Sequence, residues 1–176
     1  EYHDGKSIKS EAVYANGTIK DSYRMYYSNG TLEKENTYEA GKIKKSISYF
    51  PNGKISSESI YNEKEELETY NYFDSNGTKY FEEKYKSGEL KSALQYSKNN
   101  PKPVEINLSS KQFVMKDFDG NTLAAGKFEK GKKEGEWNHQ YSSGAKRLQE
   151  FYTKGNRNGL SQDYDRNGLV GGIKNY

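Results

Sequence analysis

Apolar and polar residues alternate along short stretches of this chain, and glycine marks where each stretch stops. Ile43, Ile47 and Tyr49 stand on one face of an extended segment, and Leu90, Leu94 and Tyr96 repeat the arrangement at the same offsets from Gly41 and Gly88. Lys and Ser fill most positions between them. A period of two is the mark of a strand. The stretches are bounded by Asn-Gly at 16–17, 29–30, 52–53, 76–77 and 167–168, and by Asp-Gly at 4–5 and 119–120. Both residues of such pairs accept positive φ, which makes them a strong hairpin signal. One turn follows another after about 11 to 12 residues. That suits a strand and a tight turn and leaves no room for a helix with its loops.

The turns are in phase with one another. Gly5, Gly30, Gly53, Gly77, Gly120, Gly144 and Gly168 are mostly 23 to 25 residues apart, with one gap of 43 between Gly77 and Gly120. Gly41, Gly88, Gly131 and Gly155 each follow a first-turn glycine by 11 residues, and Gly17 follows Gly5 by 12. In the third unit Lys64 stands at this place, so its second turn reads as degenerate. An aromatic residue stands eight after the first glycine: Tyr38, Tyr61, Tyr85, Phe128 and Tyr152. The expected fold is therefore all-β. Seven or eight hairpin repeats of about 23–24 residues form an elongated, single-layer antiparallel meander, twisted or coiled. We expect one array over 1–176. Its weak point is 97–113, where Pro101 and Pro103 remove ladder donors and mark a degenerate unit or a bend.

The segments FEKGKKEGEW (128–137) and YTKGNRNGL (152–160) carry an aromatic residue, a glycine three later and a second glycine four after that. This resembles the MORN repeat. The doublets Tyr26-Tyr27, Tyr49-Phe50 and Tyr72-Phe73 before the turns point to its bacterial variant, found in antitoxin-like proteins of the YwqK type. Lys45 and Ser92 depart from the pattern, standing where the second glycine would be. The resemblance implies an extended sheet of hairpins used for binding, assembly or scaffolding near a membrane, with no catalytic residue.

Composition alters this picture in one respect. Leu, Ile, Val and Phe supply only 28 of the 176 residues, whereas there are 17 Tyr. A tyrosine has an apolar ring and a polar tip, so a thin core and a half-wet sheet follow. Residues 1–88 carry 13 basic and 15 acidic groups, and residues 89–176 carry 15 and 10. The basic half could favour an acidic partner. With no cysteine, disulfides and thiolate metal sites are excluded. The start without Met and the polar, cysteine-free surface lean towards a secreted or cell-surface protein of a bacterium, with the cytoplasm as the alternative.

The search for reaction chemistry yields little. His3 and His139 lack an evident second partner, although His139 should share a strand face with Trp137. DYDRNG (163–168) has the opening spacing of a calcium loop, but Lys174 stands where a bidentate Glu is wanted. We therefore expect no enzyme, cofactor or metal site. The expectation is a scaffold that binds a protein partner (a toxin, a host surface protein or another copy) through an aromatic-rich sheet surface. Tyr26, Tyr49 and Tyr72 would form one ladder of rings, and Tyr27, Phe50 and Phe73 the other. The alternatives are a scaffold on anionic lipid and a cytoplasmic antitoxin neutralising a toxin. Nucleic acid is not expected, and an edge-to-edge dimer is compatible with open sheet ends.

Overall fold

Left-handed residues decide where this chain folds back. The computed structural model describes residues 1–3, 7–109 and 112–176, and these form strands, turns and loops without a helix. Gly5 and the Asp4-Gly5 turn lie outside the described residues. The chain divides into two units, Glu1–Gly88 and Glu89–Tyr176.

In the N-terminal unit a small pair, β1 (Tyr2–His3) and β2 (Ser7–Ile8), precedes seven strands in consecutive antiparallel order. These are β3 (Ser10–Ala15), β4 (Thr18–Tyr26), β5 (Leu32–Glu39), β6 (Lys42–Tyr49), β7 (Ile55–Tyr61), β8 (Leu67–Phe73) and β9 (Lys79–Lys86). The C-terminal unit opens with the hairpin β10 (Glu89–Ser97) and β11 (Asn100–Glu105). An open sheet follows: β12 (Phe113–Lys116), β13 (Thr122–Glu129), β14 (Lys132–Gln140), β15 (Lys146–Thr153), β17 (Leu160–Tyr164) and β18 (Val170–Asn175), with β16 (Asn156–Arg157) also on β15. The all-β meander of hairpins holds in each unit.

The turns fall into two kinds. At Asn16-Gly17, Ala40-Gly41, Ser87-Gly88, Lys130-Gly131 and Lys154-Gly155 both residues have positive φ, from 49° to 87°. This is the two-residue turn that matches strand twist. The other kind is wider. Tyr27 N–H donates to Thr31 O and Gly30 N–H to Tyr27 O, each at 2.9 Å. The same closure recurs around Gly53, Gly77, Gly120, Gly144 and Gly168. There only the glycine is left-handed, so Asn29, Asn52, Asn76 and Asn167 do not take the positive φ expected of them. The wider loop needs a single left-handed residue, and an Asx side chain caps it: Asp74 Oδ1 accepts from the N–H groups of Asn76 and Thr78, both at 2.9 Å. The turn read as degenerate at Lys64 is also of the wide kind, with Glu65 at φ 61° in the place of glycine.

Bulges beside the turns reset the strand faces. Tyr38 pairs with Ile43, and Thr37 pairs with Lys45, leaving Lys44 as the extra residue. Ile43 thus lies across from Tyr38 and Ile47 across from Glu35, three residues apart on β5 and so on opposite faces. The expected sharing of a face by Ile43 and Ile47 is corrected accordingly.

A second left-handed glycine distinguishes the C-terminal hairpins. Gly135 and Gly159 have φ of 67° and 89°, whereas Lys45 and Ser92 are not left-handed. At Gly135 the pairing jumps from Ala125↔Asn138 to Lys127↔Glu134, so β14 carries two extra residues. The indole of Trp137 rests directly on Gly126, where a Cβ would collide with it. Phe113, Phe128 and Trp137 meet with ring centroids 4.9 to 5.4 Å apart. Together with Leu90, Ala93, Ala124 and Tyr152 they are the buried apolar residues among the described residues of this unit. Among the described residues of the N-terminal unit Phe81 is the buried large apolar side chain, and Ser46, Ser59, Asn71, Glu82 and Glu83 are buried as well. The core is thin, as the composition implied.

Within the segment 97–113, residues 97–109 make an excursion. β11, with both prolines, is exposed throughout, and its pairing with β10 is irregular between Gln95 and Ser97. Bonds from β10 and from Lys98 just after it reach past β11: Leu90 N–H to Gly131 O, Lys98 N–H to Phe118 O, and the Gln95 amide to both the N–H and the C=O of Lys116. Gln95 thereby stands in for a rung of the ladder.

Candidate functional site

The aromatic doublets occupy half-buried positions on strand ends. Tyr26 pairs with Leu32, Tyr49 with Ile55 and Phe73 with Lys79, so Phe73, not Tyr72, continues the row of Tyr26 and Tyr49. The two turns are of equal length, but Phe73 stands four residues before its turn glycine Gly77 whereas Phe50 stands three before Gly53, which shifts the doublet by one place. Tyr27 and Phe50 begin their wide turns, and Asp74 takes the matching place in the next. The hydroxyls are engaged within the chain. Tyr26 donates to Glu11 Oε1 at 2.5 Å, Tyr27 to Tyr49 O at 2.7 Å and Tyr72 to Glu83 Oε2 at 2.9 Å. Tyr72 also packs against Tyr70 at 4.5 Å, Phe81 at 5.9 Å and Tyr80 at 6.0 Å. Burial, then the Glu83 charge, pushes its hydroxyl far above the ordinary tyrosine range.

The repeat aromatics mark a second pattern that the sequence reading missed. Tyr85 donates to Glu83 and Tyr152 to Glu150, each at 2.9 Å from a residue two places earlier on the same strand face. Asn36 and Tyr38 make the same pairing with the roles reversed, at 3.4 Å. Ser59 and Tyr61 occupy these places on β7. Where the aromatic is Phe128, with no hydroxyl, the partner place holds Gly126, with no side chain. The signal was present as Glu-x-Tyr at 83–85 and 150–152.

Glu150 is the most deeply placed charge in the C-terminal unit, 3% exposed. Arg157 Nε donates to its Oε1 at 2.6 Å. His139 Nε2 lies 3.4 Å from its Oε2 without hydrogen-bond geometry. His139 stacks obliquely on Trp137 at 6.4 Å, on the face expected of it. Burial, with the charges of Lys133 and Arg147, pulls the imidazole down to about 4, so it is neutral at pH 7. Lys133 Nζ stands 4.3 Å from the Trp137 ring centroid and 4.9 Å from that of Tyr152. The group is a closed polar node packed against aromatic rings.

The calcium-like stretch is used for folding. Asp165 Oδ1 accepts from Asn167 N–H and Leu169 N–H at 2.8 and 2.9 Å, and Asp163 lies against Gly171 and Gly172. His3 Nε2 bonds Tyr26 O at 2.7 Å. Among the described residues no group of three or more His, Asp or Glu is placed to hold a metal ion.

No family model matches the chain, and no curated protein matches it. Among solved structures it is similar in part to accessory secretory protein 1,2 and 3 in Streptococcus pneumoniae, at 18% identity and TM-score 0.38, over 56% of this chain and 18% of that one. TarM aligns at 15% identity and TM-score 0.37, over 60% of this chain and 23% of its own. The GtfA/B complex bound to UDP and GlcNAc aligns at 11% identity and TM-score 0.30, over 63% and 23%. The chain therefore spans about a fifth of the length of each structure to which it is similar.

Proposed function

We propose that the chain is a non-catalytic repeat scaffold that binds a protein partner through its aromatic sheet surface. The observation that carries this reading is the row Tyr26, Tyr49 and Phe73. These rings recur at one place in successive hairpins, half-exposed and fixed on paired strands. Aromatic side chains held in place before binding lose little conformational freedom on contact, and aromatic residues dominate interface energies. The polar node at Glu150 is spent internally, so it serves the fold and leaves the surface to binding. The resemblance to MORN-variant repeats is in keeping with this role.

The test is affinity capture from bacterial lysate and from host-surface extract, comparing the wild-type chain with Tyr26→Ser/Tyr49→Ser/Phe73→Ser. Loss of a saturable partner, with the far-ultraviolet spectrum and melting midpoint retained, is the expected outcome. A partner held equally by both chains, or no saturable partner at about micromolar concentration, overturns the reading.

A further inference from the structure

The edge of the C-terminal unit that carries its wide turns presents exposed cations over tyrosine rings. Tyr141 opens the turn 141–145, and its hydroxyl donates to Tyr164 O at 2.9 Å, tying this turn to the next turn on the same edge. Each ring seats a cation. Arg166 Cζ stands 5.8 Å from the Tyr141 ring centroid, and Lys146 Nζ stands 5.3 Å from that of Tyr164. Arg147 is the extra residue of the bulge between Leu148↔His139 and Lys146↔Gln140. Lys146, Arg147 and Arg166 are exposed, and beside them Leu169 is 67% exposed.

Nearby cations of the same unit are committed: Arg157 to Glu150, Lys98 to Asp119, Lys127 to Glu129 and Lys91 to Glu89. Among the described residues, Lys146, Arg147 and Arg166 form no ion pair within 4.0 Å, although the charge of Lys146 adds to the hydrogen bonds from Asn138 and Gln149 that lower the Glu136 carboxyl. Asp165, the acid next in sequence to Arg166, has Oδ1 taken by two backbone N–H groups of its own turn. The result is Lys146 and Arg166 each over a tyrosine ring on two linked turns, with Arg147 on the adjoining bulge and Leu169 exposed.

We propose that this platform docks an acidic peptide segment of a protein partner, a stretch with two or three Asp or Glu side chains and an apolar neighbour. The argument is charge complementarity. Two guanidinium groups match carboxylates in bidentate geometry. Three cations fall short of the four to eight that characterise anionic-lipid recognition, and of the six to ten phosphate contacts of a nucleic-acid groove. Leu169 offers the apolar contact. The proposal rests on the reading of the chain as a protein-binding scaffold and places the acidic contact in the C-terminal unit, whereas the Tyr26 row belongs to the N-terminal unit.

The experiment is fluorescence anisotropy with a labelled Glu/Leu peptide of about ten residues, at about 50 mM and about 300 mM salt. Anionic vesicles of phosphatidylserine and phosphatidylcholine and a single-stranded oligonucleotide serve as competitors. Lys146→Glu/Arg147→Glu/Arg166→Glu should weaken peptide binding by about tenfold or more at low salt. Lys34→Glu/Lys54→Glu, in the N-terminal unit, should leave it unchanged, and Arg166→Lys should keep part of it. Equal melting midpoints exclude misfolding as the cause. The proposal is overturned by absence of wild-type binding at low salt, by equal loss in the two charge-reversed chains, or by vesicles or oligonucleotide displacing the peptide completely. A lysate partner retained in full by the triple reversal but lost from the Tyr26 row variant overturns this docking site alone and leaves the scaffold reading standing.

Discussion

Two hairpins of the same plan, β5–β6 in the N-terminal unit and β13–β14 in the C-terminal unit, are built around different centres. Both begin at a wide turn and fold back at a two-residue turn with φ near 50° and 75°. In the first, Asn36 faces Ser46, and Ser46 in turn faces Ser59. In the second, Gly126 sits under Trp137, and Trp137 faces Glu150. The difference traces to one backbone position. Gly135 accepts a left-handed φ and lets β14 bulge by two residues, which leaves Trp137 lying over Gly126. β6 has no second left-handed residue, its bulge is one residue long, and its centre stays small and polar. One glycine thus separates a hairpin centred on an aromatic cluster from one centred on small polar side chains, beside which stands the ion pair Lys45–Glu58 at 2.5 Å.

The largest effect that would break this contrast is Trp137→Ala. Removal of a buried indole costs about 3–5 kcal/mol, and the loss should appear as fast amide exchange in β13 to β15 with β4 to β8 nearly unaffected. Uniform loosening of both units would contradict the division drawn here.

Acid should separate the units next. His139 is neutral when folded, with its imidazole held at about 4 against 6.5 when free. As pH falls below 6.5 the unfolded chain takes up a proton that the folded chain refuses, so stability declines between 6.5 and about 4 by up to about 3 kcal/mol. In the N-terminal unit burial pushes the carboxyls of Glu58 and Glu82 up, but hydrogen bonds from Lys45 and Asn71, and from Lys79 and Lys84, outweigh it and leave both below the usual 4.5. Their contribution is lost only as pH falls below about 4.5. Exchange rates measured from pH 7 to 4.5 should therefore rise in β14 and β15 first, and His139→Gln should remove that early rise.

The smallest effect concerns the glycine itself. Gly135→Ala places a Cβ at φ 67° and should cost about 1 kcal/mol, with Trp137 fluorescence shifting as its seat changes. Lys45→Gly, the reciprocal change, should also destabilise by about 1 kcal/mol, because no left-handed residue is called for there. A stabilising Lys45→Gly would mean that β6 is a strained version of β14.

The turn positions and the all-β hairpins were legible because glycine at positive φ is a local requirement, readable from spacing alone. The kind of turn was not, since Asn-Gly serves both a turn with two left-handed residues and one with a single one, as positions 16–17 and 29–30 show. The aromatic rows were legible to within one residue. Phe73, four residues before Gly77, takes the place assigned to Tyr72. The Glu150 node was hidden because cross-strand partners depend on bulges, and no pattern in 132–140 states that Gly135 would supply one. His139 was correctly placed beside Trp137, but Arg157 reaches Glu150 from a two-residue strand that alternation could not reveal.

The pairing of a hydroxyl with an acceptor two places earlier constrains how such an array can grow. A hairpin copied whole inherits both halves, and either half changed alone strands the other under its neighbours. Tyr85 with Glu83, Tyr152 with Glu150, and Phe128 with Gly126 are matched states, so drift between copies should proceed in coordinated twos while the turns and outer faces vary freely. Lengthening by duplication is therefore easy for this chain, and diversification of its interior is slow.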